Sequence, residues 1–293
     1  MSWIFFTLLA ISIWSVGNIV DKYALTKWIR NPIVSVIFYG IVYLPVIFLI
    51  YEFHGFSSLS NINIVLAFTA GIINIFAIFF YFKAVKIEEI SRVVPLIELT
   101  PLFVSILAAL FLGEIFNVTK YVGMILLIFG AIIISSKNLK MTFGKAFWFI
   151  ILFCLITAIN SIIVKYVLNF ADYWTIILYT RMGTVFAVIP IIYFNFHELK
   201  SATKECSKKA IGAIVLNEFF MLIGGISFII AISTGFVTLT NALASIQPLF
   251  VLMFAVILSI FYPNILEEEI SQSTVLTKFI AIAFLFAGAF LIT

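Results

Sequence analysis

The stretch PLIELTPLF, residues 95–103, returns 147 positions later as ALASIQPLF, residues 242–250, and both copies lie within long apolar segments. Other matches keep the same order along the chain, with an offset that drifts only from 143 to 158 residues: Lys22-Tyr23 with Lys165-Tyr166, Ala84 with Ala231, Lys120 with Lys278, and Gly130-Ala131 with Gly288-Ala289. The chain therefore contains one internal repeat.

The composition excludes water as the solvent for most of this chain. Apolar residues make up 64% of it, charged residues only 10%, and the mean hydropathy is +1.25, whereas soluble domains are about half apolar and a quarter charged. A membrane span needs roughly 20 apolar residues, and ten such segments are predicted: 3–20, 33–51, 62–83, 91–112, 121–136, 145–168, 173–195, 209–232, 236–262 and 277–292. The connections between them are too short for a folded domain, so any function lies among the helices.

The repeat and the span count together predict the architecture. If residues 1–140 and residues 141–293 each hold five spans, the odd number forces the second copy to enter the membrane in the opposite orientation. The predicted fold is thus an all-α polytopic membrane protein of ten transmembrane helices, arranged as two inverted five-helix repeats. Such repeats commonly build a central alternating-access site, which indicates a transporter.

Three ionisable residues lie deep within predicted spans: Glu98, Arg181 and Glu218. Each is on the order of 10–15 Å from the end of its own span, and an ionisable group at that depth is a candidate functional residue because it is expensive to insert. Arg181 and Glu218 lie on consecutive antiparallel spans at similar depth, so they either form an ion pair or one of them contacts a substrate or proton. Glu98 has no cation in its own span, and burial favours its protonated form.

Prolines and polar residues mark where a cavity would be. Pro95 and Pro101 flank Glu98 and should break its helix at mid-membrane depth, because proline cannot donate to the carbonyl four residues back. The second copy keeps one of them, Pro248, and has Ser245 in the place of Glu98. Polar side chains in other spans complete the candidate site: Asn18, Tyr39, Asn74, Tyr179, Asn241 and Gln247.

The sequence lacks the patterns of a catalyst. The two histidines, His54 and His197, lie in predicted connections without partners, so neither a catalytic triad nor a histidine metal site is expected. A phosphate-binding glycine loop is missing, which argues against nucleotide hydrolysis in this chain. We expect no enzyme activity, no metal, no cofactor and no nucleic-acid partner.

These residues resemble the EamA-type branch of the drug/metabolite transporter superfamily over nearly the whole chain. The resemblance rests on Trp14 with Lys22 eight residues later, on Tyr81-Phe82-Lys83-Ala84, and on Pro101 followed by Gly113-Glu114. It implies ten spans in two inverted copies and the transport of small organic solutes, with helices 1–4 and 6–9 around the cavity and helices 5 and 10 outside it. The sequence departs from the family pattern at Ser15, where the family has glycine, and at Thr157, where a second tryptophan would stand.

Charge and resemblance disagree about orientation. Most lysines and arginines fall on one side of the ten-span arrangement, and because positive loops stay cytoplasmic, this distribution places both termini outside. The resemblance instead implies cytoplasmic termini. The sequence leaves both open.

The sequence favours a secondary transporter, an exporter or exchanger of a small organic solute such as an amino-acid-like metabolite, with protons as a candidate coupling ion. In this hypothesis Glu98 takes a proton or a substrate amine, Arg181 binds a carboxylate or phosphate, and Glu218 controls Arg181. The alternatives are a flippase of a lipid-linked substrate and a non-transporting sensor or assembly subunit, in which no cavity above roughly 300 Å³ would be expected. The predicted location is the plasma membrane, as a monomer or homodimer.

Overall fold

The computed structural model describes residues 2–29, 31–55, 58–88, 93, 96–135, 144–251, 253–254 and 272–292. Within these residues the chain forms helices and no strand. The helices are α1 (Trp3–Lys27), α2 (Pro32–Ile41), α3 (Tyr43–His54), α4 (Asn61–Ile87), α5 (Thr100–Leu112), α6 (Val118–Ser135), α7 (Lys145–Val167), α8 (Tyr173–Phe194), α9 (Phe196–Glu205), α10 (Lys208–Thr234), α11 (Val237–Ala244) and α12 (Gln272–Ile292).

Six helical segments are long and apolar enough to cross a membrane, and they confirm a multi-pass integral membrane protein. They are Trp3–Leu25, Pro32–His54, Asn61–Ile87, Lys145–Val167, Tyr173–Phe194 and Lys208–Thr234. Four shorter apolar helices overlap the four remaining predicted spans: Thr100–Leu112, Val118–Ile133, Val237–Val251 and Ile280–Ile292. The count of ten spans stays a prediction, and both Pro95 and the predicted boundary at residues 140 and 141 lie outside the described residues.

Two predicted boundaries are wrong. The first helix runs to Lys27 and not to residue 20, because the ammonium group of Lys22 is used inside the protein, where it binds carbonyl oxygens at the end of α4. The segment after α8, predicted as a connection, forms the polar helix α9. The first correction matters for the site, since it brings Asp21 within the span.

The helices of the two halves pack in matching pairs. Helix α1 packs along α10, α4 packs along α7, and α6 packs along α12. Helix α5 also packs against α7, and α11 against α1. When each helix is replaced by its repeat partner, the pair α1–α10 becomes α7–α4 and the pair α5–α7 becomes α11–α1. The pair α6–α12 is unchanged.

Glycine brings α4 and α8 into backbone contact. A Cβ atom added at Gly71 would overlap the carbonyl oxygen of Thr180, and one added at Gly183 would overlap that of Phe68. The Oγ1 atom of Thr184 donates to the carbonyl of Gly71 over 3.2 Å across the same crossing. Small residues allow such close approach between membrane helices, and here it fixes the position of Arg181 on α8.

Two helices break at matching positions near the middle of the bundle. The chain turns at Glu98 and Leu99 before α5, and again at Ser245 and Ile246 after α11. The turns share a hydrogen-bond pattern, in which Leu99 N donates to Leu96 O over 3.2 Å and Ile246 N donates to Leu243 O over 3.2 Å.

Proline explains the first of these breaks. Because Pro101 has no N–H, the carbonyl of Ile97 loses its helical partner. That carbonyl accepts the Thr100 hydroxyl over 2.6 Å instead, and the Cys154 thiol lies 3.6 Å away.

Candidate functional site

A cavity of about 260 Å³ lies among the helices of both halves. Its walls come from α1, α2, α3, α4, α7, α8, α10 and α11, from the turn before α5 and from the first two residues of α5, while α6 and α12 contribute no described lining residue. This is the distribution that the family resemblance implied. The volume is just below the roughly 300 Å³ at which ligand pockets usually begin, so size alone does not separate a carrier of small solutes from a structural subunit.

The structure brings most of the predicted site residues to this cavity. Those that line it are Asn18, Tyr39, Asn74, Glu98, Arg181, Asn241 and Gln247, together with Pro101. Glu218, Tyr179 and Pro248 are not among the described lining residues. Tyr179 instead packs against an apolar cluster around Ile176 and Leu178.

Arg181 presents a positive charge to the cavity with little compensation. Its Cζ atom lies 4.4 Å from the centre of the Tyr43 ring, a cation–π contact that strengthens when water is excluded. Tyr39 lies beside the same guanidinium, and the Tyr39 oxygen accepts a hydrogen bond from Asn74 Nδ2 over 2.7 Å. The Arg181 Nε atom is buried and has no hydrogen-bond partner in the described part of the chain. The guanidinium is therefore held by aromatic rings, and one of its donors is unused.

Of the two arrangements that the sequence left open for Arg181 and Glu218, the ion pair does not form in the described structure. Among the described residues the ion pair that the structure contains joins His54 to Asp172, outside the bilayer core. The side chain of Glu218 interacts with Asp21 on α1, and it makes no hydrogen bond to the residues that are described. A role for Glu218 in controlling Arg181 thus has no support in the geometry.

Glu98 lies at another part of the cavity. Its side chain is 4% exposed and faces Ser245, the residue at the equivalent position of the second half. The Ser245 hydroxyl is itself buried and without a hydrogen-bond partner within the described ranges. A buried carboxyl group and a buried hydroxyl group thus face each other at the two helix breaks.

Amides on other helices complete the polar lining. Asn160 Nδ2 donates to the Ala70 carbonyl over 2.5 Å, and Asn241 Nδ2 donates to the Val237 carbonyl over 2.9 Å. These bonds leave the side-chain oxygen of each amide available to the cavity. The wall therefore offers acceptors as well as the donors of Arg181.

Sequence reasoning missed the second acidic residue of this region, Asp21. It is 6% exposed and accepts a hydrogen bond from Asn217 Nδ2 over 2.7 Å, while the hydroxyl of Tyr81 lies 3.4 Å from its other oxygen. The available signal was the pair Asp21-Lys22 inside an apolar segment, which the predicted span treated as its end. Since Lys22 is bound at the end of α4, the pair lies within the protein.

His54 also differs from its prediction. It is the last residue of α3 and not part of a connection, and its Nε2 atom lies 3.0 Å from Asp172 Oδ1. Asp172 immediately precedes α8, so this contact joins two helix ends at the surface and is remote from the cavity lining.

Comparisons with known proteins agree with this architecture. No curated protein matches the sequence. A solved structure described only as "Crystal structure of protein" is similar over 99% of this chain and 96% of its own, with a TM-score of 0.71 and 16% sequence identity. At that identity the likeness shows a shared fold and nothing about activity.

Residues 1–136 match the model of the EamA-like transporter family. This segment holds Trp14, Lys22, Tyr81 and Glu98, and with them one half of the cavity wall. Over residues 1–136 the chain is therefore similar to the EamA-like transporter family, part of the drug/metabolite transporter superfamily.

Proposed function

We propose that this protein is a secondary transporter of a small amphoteric solute, amino-acid-like in carrying both an anionic and an amine group. The similarity of residues 1–136 to the EamA-like transporter family supports a transporter in general. The observation that carries the finer assignment is the uncompensated guanidinium of Arg181 in the wall of a cavity that also contains the Glu98 carboxyl group.

The two charged groups are held by different neighbours, which suits a ligand with two charges. Arg181 lies against Tyr43 and close to Gly225, where an added Cβ would be 3.0 Å from its Nη2 atom. Glu98 lies against Ser245. A carboxylate or phosphate placed on Arg181 would gain the strong charge-assisted bonds that a planar guanidinium makes, while an amine could reach Glu98.

Alternating access through two inverted repeats is the mechanism that we infer. The matched packing of α1 on α10 and of α7 on α4 supports it, as do the matching turns at Glu98 and Ser245. Broken helices at mid-depth are typical of transporter sites. We further propose an exporter or exchanger in the plasma membrane, as a monomer or homodimer, with protons as the coupling ion.

A thermal-stability screen of the purified full-length protein tests the solute class. Zwitterionic amino acids should raise the melting temperature, because a ligand that binds only the folded state stabilises it by about 2.7 kcal/mol at one hundred times its Kd. Amino-acid esters, which lack the anion, and deaminated acids, which lack the amine, should have weaker effects. Sugars should have none.

Variants assign the groups. Arg181→Ala should abolish the response to amino acids and deaminated acids, and Arg181→Lys should restore only part of it, because lysine lacks the planar fork. Glu98→Gln should weaken the response to amino acids and esters alone. Lys27→Ala is the matched control, since Lys27 is exposed on α1. Uptake of the best amino acid into proteoliposomes that is unchanged in both Arg181→Ala and Glu98→Gln would contradict the proposal.

A further inference from the structure

Behind the cavity wall lie two buried carboxyl groups from opposite halves of the chain. Asp21 belongs to α1 and Glu218 to α10, and their side chains are 6% and 4% exposed. The two groups interact electrostatically. Neither group is in the cavity lining, and the function proposed above uses neither.

No positive charge compensates this pair within the described residues. The side chains around the pair are uncharged. Tyr81 from α4 and Asn217 from α10 contact Asp21, and the phenol of Tyr43 from α3 lies within electrostatic range of Glu218. The ammonium group of the neighbouring Lys22 is engaged with the carbonyls of Val85 and Glu88. Two ionised carboxylates that are both buried and lie within electrostatic range would each lose hydration and would repel each other.

The hydrogen bonds distinguish the two carboxyl groups. Asn217 Nδ2 donates to Asp21 Oδ1 over 2.7 Å and also lies 3.4 Å from the carbonyl of Gly17. Because both partners are acceptors, the amide must point its NH₂ group at Asp21. The Tyr81 hydroxyl contacts the second oxygen of Asp21. Asp21 therefore accepts a short hydrogen bond from an amide donor, which suits a carboxylate, while Glu218 accepts no hydrogen bond from the described residues.

We propose that Asp21 and Glu218 form a proton-binding site, in which Asp21 is the permanent carboxylate and Glu218 carries the exchangeable proton. The amide donor of Asn217 favours the ionised form of Asp21, whereas Glu218 is buried and accepts no hydrogen bond from the described residues, so burial beside a negative charge favours its protonated form. This proposal rests on the proposed transport function only for its role, which is to couple solute movement to protons.

The position of the pair connects a proton to the cavity. Tyr81 lines the cavity, and its oxygen lies 3.1 Å from Asn18 Oδ1 and 3.4 Å from Asp21 Oδ2. A single side chain thus separates cavity water from the carboxyl pair, so Glu218 can take its proton from that water and return it there.

The same position connects the proton to the packing of the two halves. Helices α1 and α10 approach closely beside the pair, where Gly17 lies against Met221 and Gly224 lies against Trp14. Loss of the proton would leave two negative charges between these helices and push them apart. The charge state of Glu218 would thereby favour one arrangement of the halves over another.

Infrared spectroscopy of the full-length protein in lipid tests the site without any solute. A protonated carboxyl group has a C=O stretching band that is absent from a carboxylate, and the Glu98→Gln background removes the buried carboxyl group of the cavity wall. The buried Glu114 accepts two backbone N–H bonds, which suits a carboxylate, and it is unchanged in every variant. In that background at neutral pH, Glu218→Gln should abolish the band. Asp21→Asn should retain it, because Glu218 stays buried.

The other outcomes would overturn the proposal. A band that survives Glu218→Gln but disappears in Asp21→Asn would assign the proton to Asp21, and a missing band would show that both groups are ionised. A band that disappears when sodium chloride replaces choline chloride would make the pair a sodium site. If Glu218→Gln does not fold, Asn217→Ala supplies the second readout, since removing the donor to Asp21 should alter the band.

Transport separates this proposal from the solute assignment. In proteoliposomes a proton gradient should stimulate uptake of the best amino acid from the stability screen, and Glu218→Gln should lose that stimulation while retaining uptake without a gradient. Unchanged stimulation would overturn the coupling role even with the infrared band present. Failure of every amino acid in the screen would instead remove the solute assignment and leave the infrared result standing.

Discussion

Lys22 and Lys165 make equivalent contacts in the two halves of the protein. The Nζ atom of Lys22 lies 2.9 Å from the carbonyl oxygen of Val85 and 3.0 Å from that of Glu88. The Nζ atom of Lys165 lies 2.8 Å from Ile232 O and 2.6 Å from Gly235 O. In each half, a lysine of the first helix (α1 or α7) thus binds carbonyl groups at the C-terminal end of α4 or α10. Such carbonyls have no partner within their own helix.

Removing either lysine should destabilise the protein. Lys22→Met or Lys165→Met would leave partly buried carbonyl groups without a donor, a loss of about 1–3 kcal/mol in the free energy of unfolding. Thermal unfolding in detergent measures the change. The matched control is Lys27→Met, which should be nearly neutral because Lys27 is exposed on the same helix as Lys22. Equal stability of all three variants would contradict a structural role for these contacts.

The crossing of α4 and α8 should not tolerate a methyl group. Gly183→Ala would force its Cβ into the carbonyl of Phe68 and should cost about 1–3 kcal/mol, as overpacking does. It should also weaken solute binding, because Arg181 lies on the same turn of α8. Gly212→Ala in α10 is the control, since nothing lies within 4 Å of its added Cβ, and it should be neutral or slightly stabilising. Melting temperatures of the two variants that do not differ would refute the predicted contact.

The start of α8 should make stability depend on pH in the acid range. Asp172 Oδ1 accepts from the backbone N–H groups of Trp174 and Thr175 over 2.8 and 3.1 Å. Partial burial opposes its ionisation, but the bonds from Thr175 and His54 outweigh this effect and hold the pKa of Asp172 below its ordinary value of 3.8. The stabilisation is therefore present above the unfolded pKa and is lost as the pH falls through the lower, folded pKa.

Two variants at Asp172 test this dependence. Asp172→Ala should cost about 1 kcal/mol at neutral pH, the usual value of a helix cap, and the difference from the wild type should shrink as the pH falls below 3.8. Asp172→Asn should keep most of the cap, because asparagine is an equally good cap, yet lose the negative charge that faces His54. The free energy of unfolding of the wild type and of each variant, measured across this pH range, tests the prediction. A difference between the wild type and Asp172→Ala that does not change with pH would contradict it.

Orientation can be tested at α9. We expect cytoplasmic termini, as the family resemblance implies. The distribution of lysines and arginines favours the opposite orientation, but some of the cations that it counts are bound within the protein and do not lie in loops. Lys22 is one, and Lys83 is another, with its Nζ atom 4.3 Å from the Phe79 ring centre. On the ten-span arrangement α9 is then extracellular, so an impermeant maleimide should label Ser201→Cys on intact cells. Labelling only after permeabilisation would instead support the charge count.

Much of the fold could be predicted from local properties of the sequence. Apolar length predicted the helices, since each span must satisfy its own backbone in the membrane. Pro101 predicted a break near Glu98 because proline always removes one helical bond. Depth followed from the constant rise of a helix, and it correctly grouped Glu98, Arg181 and the polar residues near the middle of the bundle.

Lateral partners could not be predicted in the same way. A helix with a polar face shows in its sequence which side faces its neighbours, but these spans are apolar all round, as membrane helices are. The sequence therefore left open whether Arg181 pairs with Glu218 or lines a cavity, and the structure shows that Arg181 lines the cavity while Glu218 is outside its described lining. Asp21 was missed because the use of Lys22 at the end of α4 depends on a helix 60 residues away in sequence.

The sequence by itself determined which segments cross the membrane, where two of them break, and how deep the ionisable groups lie. The tertiary structure alone decided that Arg181 lies against Tyr43, that Glu98 faces Ser245, and that Asp21 on α1 bonds Asn217 on α10, next to Glu218. The reason is physical: depth is set along each helix by its own residues, whereas the rotation of a helix is set by the shapes of its neighbours.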